Sequence, residues 1–520
     1  MKMKIAISYP PIVNEQGQKA MVSQNRNVQF FKEPTYLLPV TYAQAASYLK
    51  EMGYEVYWDD GNSQLKTFDK WLVDLIEELP DVVVLESTTP VMKFYWNTVD
   101  LIKQKLPNAI VIMTGYHSMR KPEETMNKCN ADIVIRSSNV DFALHRLIPF
   151  IEHNKNWRDD YLGEGMFIRL ENGELRSTGD FRQVEPLDNS PLVDRDLIQW
   201  KNYAFENGNF LQTPGTYASS VIRDCMFGKC TFCRYNGPDL TFSMMSVQRS
   251  LDEYENLINN YGVKEIFDDS GVWYRGKEAR EFAQGIIDRG LNKKGCYFGI
   301  NTRFEYLDEA TIKLMGEANF RFILLGYEAA DNETLDRLNK GYQLQHVDSC
   351  LKWLTKYGMH PHLTIMVGYY WQTQSQLDQT VSEVKRLMIS GMARTLQVTL
   401  CTPLDYTPYH KECIREDVLL TDNYDDFDMS KLIVKTPIPH DQYYKAVREM
   451  YSIAFNPRFI FRQLLFLTSF KKKDWQFLFT YSLRAIRRVR QHIFNLTRHE
   501  NKASDVEFKI KTKEINIENY

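Results

Sequence analysis

Cys225-Met-Phe-Gly-Lys-Cys230-Thr-Phe-Cys233 places three thiols within nine residues. Three such ligands can hold a metal cluster and leave one coordination position open. A structural zinc site is normally closed by four protein ligands, whereas a 4Fe–4S cluster held by three cysteines keeps one iron free for a small molecule. The C-x4-C-x2-C spacing therefore reads as a catalytic metal site with Cys225, Cys230 and Cys233 as its ligands. A zinc knuckle is the competing reading, and it would need a fourth ligand from a distant part of the chain. Cys129, Cys296, Cys350, Cys401 and Cys413 stand singly and read as small buried apolar side chains.

Around this stretch, 520 residues are too many for one core, so two or three domains are expected. With 43% apolar residues, 25% charged residues and a net charge of −3, the chain is not broadly a polyanion binder. Met1 to Pro10 runs directly into a strand-like segment without a long apolar stretch, so a secretory signal is not expected. No apolar run reaches membrane-spanning length. Clustered thiols that must stay reduced predict a cytoplasmic protein. No Ser/His/Asp constellation and no His-Glu-x-x-His helix is present, which leaves hydrolysis by a triad or a catalytic zinc unsupported.

Residues 1–150 alternate short apolar runs with helical patterns, the signature of parallel βαβ units. Ile5–Ser8, Tyr54–Trp58, Asp81–Leu85, Ala109–Met113 and Asp132–Ile135 read as five strands, with a helix over Ala43–Met52. Ligands of an open parallel sheet sit outside the carboxyl ends of its strands. That rule directs attention to Pro11, Ser87, Thr88, Gly115 and His117 in the loops there. Residues 151–214 read as a linker and small subdomain. The βα alternation resumes over 215–415, where Asp268 and Asp269 end one strand and Arg303 follows another. Carboxylates at a strand's carboxyl end suit a barrel active site, although the same residues also serve as helix caps or turn residues. Arg303 carries a planar fork that fits a carboxylate, and a surface ion pair is its plainer reading.

The cysteine stretch, with Arg223-Asp224 before it and Arg234-Tyr235-Asn236-Gly237 after it, resembles the cluster motif of the radical S-adenosylmethionine (SAM) superfamily, whose usual spacing is C-x3-C-x2-C. Gly326-Tyr-Glu328 with trailing Lys340-Gly341, the strand ending at Gly368, and Thr402-Pro-Leu-Asp-Tyr-Thr-Pro resemble later segments of that family. The first 150 residues resemble the cobalamin-binding domain that precedes many of its members, on Pro10-Pro11, Leu38-Pro39, Gly53-Tyr-Glu-Val and Gly115-Tyr-His117. Arg136-Ser-Ser-Asn139 stands where those members carry a Gly-Glu-Gly-Glu-like loop, and no Asp-x-His-x-x-Gly motif is present.

The resemblance, which covers most of residues 1–415, implies an α/β fold: an N-terminal Rossmann-like sheet of cobalamin-binding type and a partial (β/α)6 radical SAM barrel; residues 416–520 read separately as a helical, basic C-terminal region and tail. It implies a 4Fe–4S cluster, SAM and cobalamin as cofactors. Phe232 and Gly368 would then lie beside the SAM adenine and Glu328 would reach the ribose, while His117 would line the cobalamin loop without ligating cobalt. The implied activity is reductive cleavage of SAM followed by C-methylation of an unactivated carbon. Cyclisation or rearrangement without methyl transfer is the alternative, and a non-catalytic cobalamin and iron–sulfur sensor the third. A small-molecule, lipid or peptide substrate and a reductant such as flavodoxin or ferredoxin would be the partners.

Residues 457–495 carry nine lysines and arginines against Asp474 alone, interleaved with apolar residues at helical spacing. They read as basic amphipathic helices that either cap the barrel or touch an anionic membrane surface. Nucleic acid is not an expected partner, since no known nucleic-acid module is visible.

Overall fold

The computed structural model describes residues 2–14, 17–23, 26–31, 35–181, 185–218, 222–237 and 242–468. Its strands are β1 (Lys4–Tyr9), β2 (Lys19–Ser23), β3 (Arg26–Phe31), β4 (Glu55–Asp60), β5 (Val82–Glu86), β6 (Ile110–Thr114), β7 (Ile133–Ile135), β8 (Met166–Arg169) and β9 (Leu175–Ser177) in the first half. They continue with β10 (Gly215–Tyr217), β11 (Ile222–Arg223), β12 (Ser243–Met244), β13 (Glu265–Asp268), β14 (Tyr297–Thr302), β15 (Phe320–Glu328), β16 (His360–Val367) and β17 (Thr395–Leu400).

The first sheet runs β4-β1-β5-β6-β7-β8-β9, parallel from β4 to β7 and antiparallel at β8 and β9. Val82–Glu86 is buried throughout, as a strand covered by helices on both faces must be. The helices Val40–Glu51 and Val140–His153 pack together on one face through Ala43, Leu49, Leu144 and Leu147. On the other face, Trp71, Tyr95, Val99 and Ile102 from the helices Phe68–Glu78 and Met92–Lys105 form a second core. The five expected strands all form. Two features were not expected: the β2–β3 hairpin, and the extension of the sheet past residue 150 by β8 and β9. The segment read as a linker thus closes the sheet edge, with strands of four and three residues that are too short to show a periodicity.

The second sheet runs β10-β13-β14-β15-β16-β17, all parallel and in chain order, with helices between successive strands. This is the open (β/α)6 barrel. Ser246, Asp308, Asp331 and Thr373 each accept a backbone N–H at the start of a barrel helix, contributions of about 1 kcal/mol apiece that fix where the helices begin. Arg195, fully buried in the connecting segment, donates to Glu253 at 2.7 Å and to Thr216 at 3.0 Å, so the connection is locked onto the first barrel strand. After β17 the described chain forms the helices Pro408–Arg415, His440–Ser452 and Pro457–Thr468; the rest of the basic stretch to 495 lies outside the described residues. No helix among the described residues is long and apolar enough to cross a membrane.

Candidate active site

The three cysteines occupy one loop after β11, all partly exposed and none in a disulfide. Asp224 (φ 59°) and Gly228 (φ 58°) turn this loop through left-handed backbone. It is pinned from outside by the turn that follows the helix Asn332–Arg337. Thr231 N–H donates to the Leu338 carbonyl at 3.0 Å, and the Asn339 amide donates to the Lys229 carbonyl at 3.0 Å. Burial raises the pKa of the Cys233 thiol, and Cys230 and Cys225 raise it further; burial and Cys230 do the same to Cys225. Thiols that oppose one another's ionisation require a multivalent cation to be deprotonated together. No group of three or more His, Cys, Asp or Glu among the described residues is arranged to hold a single metal ion. Three soft thiols on one loop with no fourth protein ligand suit an iron–sulfur cluster.

Cations surround this loop. The Arg303 guanidinium lies 3.9 Å from Cys230 Sγ and 3.6 Å from the centre of the Phe227 ring; it also pairs with Glu305 and donates to the Lys340 carbonyl. Lys340 is buried and pairs with Glu328 at 3.1 Å. Burial opposes its charge, yet Glu328 and Cys230 hold its pKa above the ordinary value. The Lys340 ammonium lies 5.7 Å from the centre of the Phe232 ring, so Phe232, Glu328 and Lys340 share one corner. Glu328 has φ 59°, an unfavourable backbone for a side-chain-bearing residue, of a kind that concentrates at functional sites.

At the end of β13, Asp268 is fully buried and caps its own turn, its Oδ1 accepting the Ser270 N–H at 3.0 Å. Its Oδ2 has no partner among the described residues. Burial, with a smaller push from Asp269, raises its carboxyl pKa to about 7. Asn301 on β14 donates to Asp269 at 3.2 Å and to the Ser270 carbonyl at 3.0 Å. Gly368 donates its N–H to Gln372 Oε1 at 2.8 Å, where β16 turns into the helix Gln374–Ile389.

The loops of the first sheet form a separate, largely neutral floor. The strand order reverses between β1 and β5, and Tyr9 at the end of β1 donates to Glu86 at the end of β5 at 2.8 Å. The Ser87 hydroxyl reaches the Thr114 carbonyl at 3.0 Å and Ser118 at 2.8 Å. Gly115 (φ 91°) passes so close that a Cβ there would meet the Ser87 carbonyl oxygen at 2.1 Å; only glycine fits. Beside Pro11, the Ile12 N–H donates to Asn62 at 3.1 Å. Tyr9, Ala20, Tyr36, Leu37, Pro39, Asp60 and Asn62 line a shallow, narrow cleft there. His117 is buried against the rings of Trp96 and Tyr424, with Nδ1 3.3 Å from Thr89, and burial lowers its pKa to about 3. A floor of hydroxyls, amides and rings at the topological switch point, with Asp60 in its lining, can hold a ligand by shape and contact area, and His117 packs among the rings beside it.

Residues flanking the cysteines join the two regions. Arg223 donates to Asp141 at 2.6 Å and to Asn139 at 3.2 Å, and Ser138 donates to Asp224 at 3.0 Å. Arg234 donates to Thr88 at 2.9 Å, and Arg120 to the Arg234 carbonyl at 3.0 Å. The 136–139 loop is thus the first domain's attachment to the cluster loop. Arg223, Arg234, Asp141 and Lys340 were not among the expected site residues. The signal was their adjacency to the motifs, with an arginine immediately outside each end of the Asp224–Cys233 stretch.

Residues 219–384 match the radical SAM superfamily. An uncharacterized methyltransferase of Pyrococcus horikoshii is 25% identical over 82% of this chain and 90% of its own length. The anaerobic magnesium-protoporphyrin IX monomethyl ester cyclase of Cereibacter sphaeroides is 26% identical over 77% of this chain and 63% of its own length. The solved structure of the radical SAM methyltransferase TsrM from Kitasatospora setae, with cobalamin and a 4Fe–4S cluster bound, superposes with a TM-score of 0.65 at 14% identity, covering 95% of this chain and 100% of that one. Residues 219–384 thus carry a radical SAM domain, and a three-cysteine loop on an open barrel, preceded by a parallel-sheet domain to which it is tied, is the fold this chain shares with that methyltransferase.

Proposed function

We propose that the protein is a cobalamin-dependent radical SAM C-methyltransferase acting on an unactivated carbon. One observation carries the reading: the cluster loop is tied directly to the first sheet's ligand-facing loops, through Arg223–Asp141, Ser138–Asp224 and Arg234–Thr88. Two cofactor sites joined by struts this short can work on one substrate between them. The methyltransferase relative and the TsrM fold support it.

In this reading Cys225, Cys230 and Cys233 hold the cluster, and Arg303 and Lys340 offset the negative charge that three thiolates bring. Phe232 and Gly368 bracket the SAM adenine, Glu328 takes the ribose hydroxyls with Lys340 holding its carboxylate in place, and Asp268 and Asp269 close the strand mouth near SAM. Pro11, Ser87, Thr88, Gly115 and His117 line the cobalamin site. When bound, the cluster supplies the electron that splits SAM to a 5′-deoxyadenosyl radical, and cobalamin supplies a transferable methyl group. A reductant such as flavodoxin or ferredoxin would supply the electron to the cluster.

The test is product analysis after anaerobic reconstitution with iron, sulfide, hydroxocobalamin and a strong reductant. Both 5′-deoxyadenosine and cobalamin-dependent S-adenosylhomocysteine are expected. The cyclase relative supports a second reading, radical cyclisation or rearrangement, which 5′-deoxyadenosine without S-adenosylhomocysteine would establish. Full cofactor loading with neither product would leave a sensor.

A further inference from the structure

The helix Pro457–Thr468 lies beside the barrel helix Gln374–Ile389 and presents an outer surface that the enzyme reading does not use. Its inner side is accounted for. Phe459 is 9% exposed, and Gln463 accepts from Arg394 at 3.4 Å. The outer side is the opposite of what a solvated helix carries. Phe461 is 60% exposed, Ile460 43%, and Phe455, in the turn just before the helix, 43%. Scattered single apolar side chains are ordinary on a protein surface, but three large ones within seven residues are not.

The charges beside them have one sign. Arg458 and Arg462 stand three positions before and one after Phe461 on the helix, and no acidic residue occurs between Pro457 and Ser469. The next cations in sequence are Lys471, Lys472 and Lys473, followed by Arg484, Arg487, Arg488 and Arg490. On the preceding helix, Glu449 is paired with Lys385. An exposed apolar ridge edged by arginines is the pattern of a helix lying in a lipid interface, with its rings among the acyl chains and its guanidinium groups at the headgroups. A purely apolar patch would suit a protein partner equally well. The excess of positive charge selects an anionic bilayer.

We infer that Phe455, Ile460 and Phe461, edged by Arg458 and Arg462, form a docking surface for an anionic lipid bilayer. The inference is independent of which reaction the barrel catalyses. The test is co-sedimentation of the full chain with phosphatidylcholine vesicles containing phosphatidylglycerol, alongside pure phosphatidylcholine vesicles and a vesicle-free control. Binding is expected only to the anionic vesicles, and raising the salt from about 0.1 M to about 0.5 M should release most of the protein. Phe461→Asp should lower the partition coefficient about tenfold, and Arg458→Glu combined with Arg462→Glu by at least as much. Because these side chains face outward, iron loading of the cysteine loop serves as the check that each variant is folded. Failure to bind anionic vesicles, equal binding to neutral ones, or sedimentation without vesicles would overturn the proposal. So would a folded Phe461→Asp protein that binds like the parent, because the attachment would then reside elsewhere in the chain.

Discussion

The two sheets end in loops that are held by different physics. On the first sheet, the loops after β5 and β6 are fastened mainly by hydroxyls, backbone carbonyls and the close pass of Gly115 over Ser87, with Arg234 reaching in from the cluster loop to Thr88. The acid among them, Glu86, is buried without a cation and is held by the Tyr9 phenol. At the barrel mouth the fasteners are ions: Arg303 beside Cys230, Lys340 against Glu328, and Arg223 clamped on Asp141. The difference follows from what each region must hold. Three thiolates on one loop concentrate negative charge in a low-dielectric site, and they stay together only where fixed cations and a metal cluster offset it. A neutral floor instead binds by shape and contact area, and a charge there would have to be desolvated without return.

Three substitutions test this contrast. The largest effect is expected at the ionic seam, where Asp141→Asn leaves the Arg223 guanidinium buried and unpaired. That change should cost about 3–5 kcal/mol of stability and release iron from the reconstituted protein, read as a lower urea midpoint and a lower iron content. A variant with unchanged midpoint and iron would show that the seam is not held by this pair.

A smaller effect is expected at the neutral floor, and it should depend on pH. Burial raises the Glu86 pKa from 4.5 to about 8, so the folded state retains a proton that the unfolded chain releases. The sign is therefore that Glu86 contributes fully below about pH 4.5 and loses that contribution as the pH climbs toward 8. Glu86→Gln should remove this slope, gaining on the order of a few kcal/mol relative to the parent between pH 5 and pH 8. Asp268 and Glu265 in the barrel, each raised to about 7 by burial, give slopes of the same sign, so the decisive quantity is the difference between parent and variant. Parallel pH–stability curves would mean that Glu86 is already ionised in the fold.

The smallest effect should come from Ser138→Ala, which removes one neutral-to-carboxylate hydrogen bond of 3.0 Å to Asp224 while leaving Arg223 in place. About 1 kcal/mol is expected, with cluster retention intact. A loss as large as that of Asp141→Asn would show that the seam acts as one cooperative network.

Much of the fold was legible because its strands are continuous apolar runs. Val82-Val-Val-Leu and Val111-Ile-Met are buried on both faces, as continuous apolar runs are in a parallel sheet covered by helices. The β8–β9 edge and the β2–β3 hairpin were not legible, because strands of three to six residues without a continuous apolar run leave no distinctive pattern. Of the site, the cysteines announced themselves by spacing, since cluster ligands must come from one short loop. Arg303 was noticed for its place after β14, but a carboxylate of SAM or substrate was its expected contact; within the protein its neighbours are Cys230, Phe227 and Glu305.

What the sequence determined by itself is whatever depends on local spacing: the three-thiol loop, the two βα series, and the helix starts at Ser246, Asp308, Asp331 and Thr373. The tertiary structure alone decided which residues distant in the chain meet. Gln44 and Asp141 meet Arg223, Thr88 meets Arg234, and Lys340 meets both Glu328 and the rim of the cluster loop. These partners lie between 12 and 179 residues apart, and no periodicity carries information across such gaps. Their pairing is fixed by the requirement that a buried charge find a counter-charge or a hydrogen-bond acceptor, which only the packed fold can satisfy.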